Sequence, residues 1–521
     1  MASTSRPDAD AELRSLVDDL LVRDADEHAR ALERLAEIGD RRVVPHLIEV
    51  LMIHEIGSNW DRFGFPWVLR DHSPPRYLEL PEARWPGVRA ALQAVADPDY
   101  DSEYAWVEWE SWYSQQEVEP LEGFDAWKLQ LYRSYLPPVG RLLDAEPRAF
   151  DLQDVRWGNC DPSFLAACNE PNFVPGDAVT VDGTENGDGD GETNEDEGDD
   201  DDTNEVAGVS RGEDEGDDDD TNEVAGVSRG EDERYLKPED VVFGVTVDDT
   251  AYAVPRWVLF PHEMANITLE GVPLTLTYCT LCNAPICYDR RVDDRTLTFG
   301  STGMLLAGNK VMFDEETESL WSQHRGVPIA GDFLEEDARL DVEPVTQTTW
   351  GEWREAHPDS LALDIDTGYD FDYRHYEDDV GFFQHYWNDE NAIQPGLRTG
   401  DGKLPEKTDV YGVTSDDGST VRVYPVEDVP TEGLWTDEID GHGAVVVRDA
   451  TDDVAVYEAP PSPLERDGET IADADGVRWR LESDALVGDD GRELPRIPGR
   501  HGLFFAFRSQ YDTVEVGPDD D

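Results

Sequence analysis

The residues best equipped for chemistry in this 521-residue chain are three of its five cysteines, Cys279, Cys282 and Cys287. They stand in Thr277-Tyr278-Cys279-Thr280-Leu281-Cys282-Asn283-Ala284-Pro285 and just beyond it, where a strand-like run ends in a turn. A Cys-x-x-Cys turn lets two thiolates converge on one ion. With His262, and Cys287 as a further donor, it would complete a tetrahedral nitrogen and sulfur site for zinc or iron. The same pair is also a candidate redox dithiol. A thioredoxin-like dithiol opens a helix, however, whereas here Pro285 and a β-type run at 286–289 follow. A third reading has the thiols packing as small hydrophobes, and the sequence leaves all three open.

The candidate catalytic groups near this turn are Glu263, Asp289 and Arg290. Glu263 follows His262 directly and suits acid/base work, while Asp289-Arg290 reads as an ion pair serving either a site or a turn. Ser322 and His324 have no acidic partner in a hydrolase-like order. No Walker loop occurs, and no Gly-x-Gly-x-x-Gly leads into a helix.

The elements that must position these groups change character along the chain. Over 12–52, Leu13, Leu16, Val17, Leu20 and Leu21 follow helical spacing, as do Leu32, Leu35 and Ile38, then Val43, Val44, Leu47, Ile48 and Leu51. Gly39-Asp40 separates two of these helices, and 31–51 reads as a HEAT-like hairpin. A lone hairpin cannot bury its face, so the segment 104–135, with Trp106, Trp109, Trp112 and Trp127, is expected to complete the unit.

Residues 176–233 are almost devoid of apolar side chains and read as a disordered acidic insert, in which 198–215 recurs unchanged as 216–233. Asn186, Asp188, Asp190, Gly191 and Glu197 imitate the spacing of a calcium loop, but no amphipathic helices flank them. β-type runs follow at 241–247, 252–259, 272–279, 286–289, 297–299 and 310–313, with a short helix at 349–356.

The same order returns after Lys403. Asp409-Val410-Tyr411-Gly412-Val413 and Val423-Tyr424-Pro425 echo the first two strand-like runs, Trp479 takes the place of Trp321, and Phe504-x-x-Phe507-Arg508 echoes Trp350-x-x-Trp353-Arg354. The expected fold is α+β and multidomain, an α-helical N-terminal domain followed by two related, predominantly β modules. The helical domain covers 1–150 and the Cys-x-x-Cys module 151–366. An acidic, aromatic-containing linker covers 367–402, a degenerate second module 403–516 and an acidic tail 517–521. The second copy reads Val446-Val447-Arg448-Asp449-Ala450-Thr451-Asp452 where the first has its cysteines, so thiol chemistry belongs to the first alone.

The cysteine stretch resembles the hallmark of the family catalogued as domain of unknown function 3179, with Thr280 where that family commonly has Pro. Arg156-Trp157-Gly158, Leu236-Lys237-Pro238-Glu239-Asp240, His262-Glu263-Met264-x-Asn266, Tyr288-Asp289-Arg290, Phe299-Gly300-Ser301 and Ser319-Leu320-Trp321-Ser322-Gln323 agree with it, over about 155–366. The resemblance implies no established substrate, cofactor or catalytic residue. It leaves two expectations: a metal- or thiol-containing domain with a small-molecule or redox role, or a noncatalytic interaction protein with helical and β binding surfaces and structural cysteines, a protein partner being expected on the helical N-terminal domain.

Charge narrows the setting. Lys and Arg number 42 against 119 Asp and Glu, a formal net charge of −77. The excess recurs at Asp378-Asp379, Asp416-Asp417 and Asp452-Asp453, far from the insert. Only Lys128, Lys237, Lys310, Lys403 and Lys407 are lysines. The pattern resembles that of haloarchaeal proteins, because near 1 M salt the Debye length falls to about 3 Å and screens such repulsion. With no basic stripe, nucleic acid is not an expected partner. With no apolar leader or long apolar run, a cytoplasmic protein without a membrane span is expected.

Overall fold

The computed structural model describes residues 6–58, 87–181, 234–369 and 402–518, apart from 23, 97, 99, 101–104, 159, 161, 163–165, 337 and 468–469; it also describes 373, 383–390 and 397. The calcium-like spacing at 186–197 and most of the expected linker lie outside these residues. The first residues assigned to the insert are part of the fold. Gly176–Val179 is a helical turn, and the Val181 amide donates to Leu236 O at 2.7 Å.

The N-terminal region is helical, and its boundaries follow from its caps. Asp24 accepts the amides of Asp26 and Glu27 to start Ala25–Ile38, and Gly39 at φ 66° ends it with a bond to Leu35 O. Helices Val44–Ser58, Val88–Val95, Ala105–Ser114 and Phe124–Tyr135 bury Leu47, Leu92, Trp109 and Leu131 together. Their core does not close on itself. It continues into Trp157, Met304, Val311 and Leu320 of a β-sheet, because the helical layer has an apolar face that only a second layer can cover. Lys128 ties the layers together from within, paired with Glu49 and donating to Val155 O at 2.6 Å.

Three five-stranded sheets form the first β half. One contains Phe299–Leu306 beside Asn309–Asp314, a second contains Met264–Leu269, Val272–Cys279 and Ala284–Asp289, and the third contains Val241–Val247 and Thr250–Pro255. In the third, Thr346–Thr349 joins Val241–Val247 antiparallel, and Leu361–Leu363 joins Thr250–Pro255 parallel. Helix Trp350–Ala356 makes the crossover that a parallel pair requires. A four-stranded sheet in the C-terminal half has the same senses. Arg500–Leu503 and Thr420–Pro425 flank Asp409–Thr414 antiparallel, and Thr513–Val516 joins parallel after helix Phe504–Gln510. The architecture is therefore α+β, with helices first and a large β-rich region after.

Two of the expected runs change type or extent. The run at 252–259 divides into strand Thr250–Pro255 and helix Arg256–His262, whose Trp257, Val258, Leu259 and Phe260 are all buried. Burial on every side erases the amphipathic period that would announce a helix. The run at 297–299 becomes Phe299–Leu306. The expected short helix forms as Trp350–Ala356, started by a capping box between Thr349 and Glu352. None of the described helices is long and apolar enough to cross a membrane.

Gly244 is required by this packing, since a Cβ there would overlap the indole of Trp353. Overpacking of a tight core costs about 1–3 kcal/mol. Gly244→Ala should therefore lower unfolding free energy by that amount, measured by urea titration in molar potassium chloride.

Candidate functional site

The cysteine turn closes a hairpin. Strand Val272–Cys279 pairs with Ala284–Asp289, Cys279 stands opposite Ala284, and the connection from Thr280 to Asn283 reverses the chain. Asn283 sits at φ 47°, a left-handed conformation that Asn tolerates better than most residues. The Tyr278 hydroxyl holds its side chain, donating to Oδ1 at 3.0 Å.

This geometry brings the Cys279 and Cys282 sulfurs to 2.9 Å, sharing an S–H···S hydrogen bond. Both residues are buried. Burial alone would push the Cys279 thiol up, but the hydrogen bond from Cys282 and the charge of Lys310 overcome it and hold Cys279 below the ordinary thiol range. Burial, then the bond to Cys279, pushes Cys282 well up. Of the two thiols, Cys279 is therefore the more acidic and Cys282 the less.

Lys310 lies under the turn on strand Asn309–Asp314. Its Nζ sits 2.5 Å from Glu263 Oε2 and donates to Tyr278 O at 2.7 Å. Glu263 is the left-handed residue that ends helix Arg256–His262, at φ 55°, and Ser301 Oγ donates to its carboxylate at 2.9 Å. Cys279, Lys310, Glu263 and Ser301 line a cavity of about 20 Å³ together with Cys160. That is room for about one water-sized molecule. Burial, then the Glu263 charge, keeps the Cys160 thiol protonated by pushing it well up.

The far side of the turn is held from the C-terminal half. The Leu503 amide donates to Cys282 O at 2.9 Å, and Asn283 Nδ2 donates to Asp409 Oδ1 at 3.4 Å. Trp387 Nε1 donates to Thr280 O at 2.8 Å. Lys407 also comes from this half. Its buried Nζ lies 3.2 Å from the Tyr386 ring centroid and has no hydrogen bond among the described residues. Burial lowers it to about 8, against the pull of Cys282.

A family model described as "Protein of unknown function (DUF3179)" matches residues 222–513. The chain belongs to that family. The match begins after Arg156-Trp157-Gly158 and runs through the C-terminal half, beyond the 155–366 expected from the motifs. Leu503 and Asp409 give the physical reason, because the cysteine turn is completed by residues of that half. No curated protein and no solved structure matches the chain.

The other expected site residues are placed elsewhere. His262 directs Nδ1 to Ala166 O at 2.8 Å and Nε2 to the Tyr373 hydroxyl at 2.6 Å; burial lowers it to about 4, so it is neutral. Cys287 and Asp289 lie on strand Ala284–Asp289, three and five steps beyond Ala284, or roughly 10 and 17 Å at the usual strand rise. Asp289 pairs with Arg291 and not Arg290, accepting from Arg291 Nε at 2.9 Å, while Arg290 reaches Glu170 at 2.7 Å. Among the described residues no three His, Cys, Asp or Glu gather where they could hold a metal ion. Ser322 hydrogen-bonds Gln510 at 3.3 Å and not His324.

No local sequence pattern assigns Cys160, Lys310, Ser301 or Lys407 to this site. The available signal was the scarcity of lysine: where Arg supplies nearly every cation, a buried Lys is a point charge kept for a particular place.

His324 is fully buried, packs edge-on against Phe507 with ring centroids 4.5 Å apart, and its ring nitrogens have no hydrogen-bond partner among the described residues. Burial, then Arg500, lowers it from 6.5 to about 3. A depressed folded value means that the unfolded chain binds the proton first, so stability falls as pH drops from about 6.5 through about 3. The slope is about 1.4 kcal/mol per pH unit for this one group. His324→Phe should flatten the loss of stability by that slope, measured by denaturation at stepwise lower pH.

Proposed function

We propose that Cys279 and Cys282 form a dithiol redox site that passes two electrons to a small oxidant of hydroperoxide size. The observation that carries this reading is the 2.9 Å sulfur pair with Lys310 beneath Cys279, beside a cavity of about 20 Å³. Such a cavity excludes a bulky disulfide and leaves room only for an oxidant close to water in size, such as hydrogen peroxide.

The steps balance. The Cys279 thiolate attacks one peroxide oxygen, an S–O bond forms as the O–O bond breaks, and the departing hydroxide takes up the proton that Cys279 had released. The product is a sulfenic acid and one water. The Cys282 sulfur then attacks the Cys279 sulfur, and its proton leaves with the expelled oxygen as a second water. The sulfurs need only close from 2.9 Å to a bond of about 2.05 Å. The Lys310 ammonium supplies positive charge for the oxygen on which negative charge develops.

A zinc or iron ion on the same sulfurs would need two further ligands. Glu263 is engaged by Lys310 and Ser301, and His262 by Ala166 and Tyr373. The dithiol reading needs no added ligand.

We further infer that the two β halves are a duplicated unit whose second copy lost its thiols and kept a structural task. The equal strand senses support this, as do the paired close approaches of Gly244 to Trp353 and Gly412 to Phe507. The acidic excess in both halves supports a salt-rich setting.

Treating Cys282→Ser with hydrogen peroxide in high salt should accumulate a dimedone-reactive sulfenic acid at Cys279. Wild type should yield a Cys279–Cys282 disulfide, and Cys279→Ser should yield neither. Mass spectrometry reads all three. Absence of both the adduct and the disulfide would reject the reading.

A further inference from the structure

Apart from the cavity at Cys279, the cysteine turn is covered by chain that lies between the two β halves in sequence. Helix 383–388 rests on it, with Phe383 and Trp387 buried, Tyr386 half-buried, and Gln384, His385 and Asn388 exposed. Apolar residues three and four apart form one inward stripe. The opposite face meets solvent, so the cover is one helix thick. Phe383 and Trp387 belong to the same core as Cys279 and Cys282, and Tyr386 and Leu397 pack against it.

The contacts of this cover converge on the turn and its supports. Trp387 Nε1 donates to Thr280 O at 2.8 Å, between the two cysteines. The Arg256 guanidinium lies 5.2 Å from the centroid of the same indole, a cation–π contact that fixes the ring from the helix below. Phe383 packs on Phe260 with centroids 5.0 Å apart, and Phe260 packs on Tyr278, the residue before Cys279, at 5.8 Å. Leu397 closes the Cys282 side. Its Cδ1 would lie 2.8 Å from a Cβ on Gly308, whose carbonyl accepts from Cys282 Sγ at 3.4 Å. An indole covers about 150–250 Å², so its loss would open the turn to molecules much larger than water.

We propose that Trp387 determines the size of the molecule that the dithiol meets. Its indole bars bulky hydroperoxides, disulfides and protein thiols from the turn, while the cavity beside Cys279 admits an oxidant close to water in size. Selection comes from the bulk of the ring and not from its hydrogen bond to Thr280 O. The inference rests on the redox reading for the reaction that is filtered. The cover itself governs access to sulfur, which alkylation reads without any oxidation.

Two rates on the full-length, reduced protein in molar potassium chloride test this. The first is labelling of each cysteine by N-phenylmaleimide, whose ring matches the space an indole leaves, mapped by mass spectrometry. Trp387→Ala should label at Cys279 or Cys282 at least about tenfold faster than wild type, a usual factor for steric discrimination, with Cys168 and Cys287 unchanged. Trp387→Phe keeps the bulk, loses the hydrogen bond and should label as slowly as wild type. Because loss of a buried indole can unfold the chain, Trp387→Leu provides a smaller opening and should label faster than Trp387→Phe. The second is formation of the Cys279–Cys282 disulfide. With cumene hydroperoxide Trp387→Ala should gain by a similar factor, and with hydrogen peroxide its rate should change little. Wild-type labelling in both Trp387→Ala and Trp387→Leu would overturn the proposal. So would equal acceleration at Cys168 and Cys287, which would make Trp387 a general packing residue. Selective labelling without oxidation by either peroxide would reject the redox reading alone and leave the cover standing.

Discussion

The structure around the cysteine turn depends on one buried ion pair, Lys310 with Glu263. Neither charge is stable in that interior alone, and removing one partner of such a pair typically costs about 3–5 kcal/mol. Together they fix three elements. Glu263 ends helix Arg256–His262 in a left-handed conformation, Lys310 anchors strand Asn309–Asp314, and the Lys310 bond to Tyr278 O reaches the strand that carries Cys279. The same ammonium lowers the Cys279 thiol. One interaction thus serves both the fold and the chemistry.

The C-terminal half supplies the second constraint. Leu503, Asp409 and Lys407 reach the turn from it, and Leu503 and Phe505 share a core with Cys279 and Cys282. A half without thiols is therefore still needed to shape the site, in keeping with a family match that spans both halves. The extent of a domain in sequence and the extent of a site in space differ here.

Much of the fold was legible because local rules act locally. Gly39 stops a helix by its own φ, Thr349 and Glu352 start one by reciprocal caps, and Val241–Val247 and Val272–Cys279 form as strands over the run lengths expected. Helix Arg256–His262 was not legible, since full burial leaves no polar face to set its period. The site was legible only in part. Cys279 and Cys282 are joined by a turn and could be paired by spacing alone. Lys310, Ser301 and Cys160 meet them through sheet pairing across long stretches of chain, which no local pattern records. His262 stood in a promising motif, but its ring is committed to Ala166 O and Tyr373.

Of the five thiols, only Cys279 is held below the ordinary thiol range. Burial is the leading cause that pushes the other four thiols up, Cys160, Cys168, Cys282 and Cys287. Following ultraviolet thiolate absorbance with pH in the native, reduced protein measures this directly. One thiolate should titrate below the ordinary thiol value of about 8.5, vanish in Cys279→Ser and move to higher pH in Lys310→Met. A native protein with every thiol still protonated above that value would contradict the account.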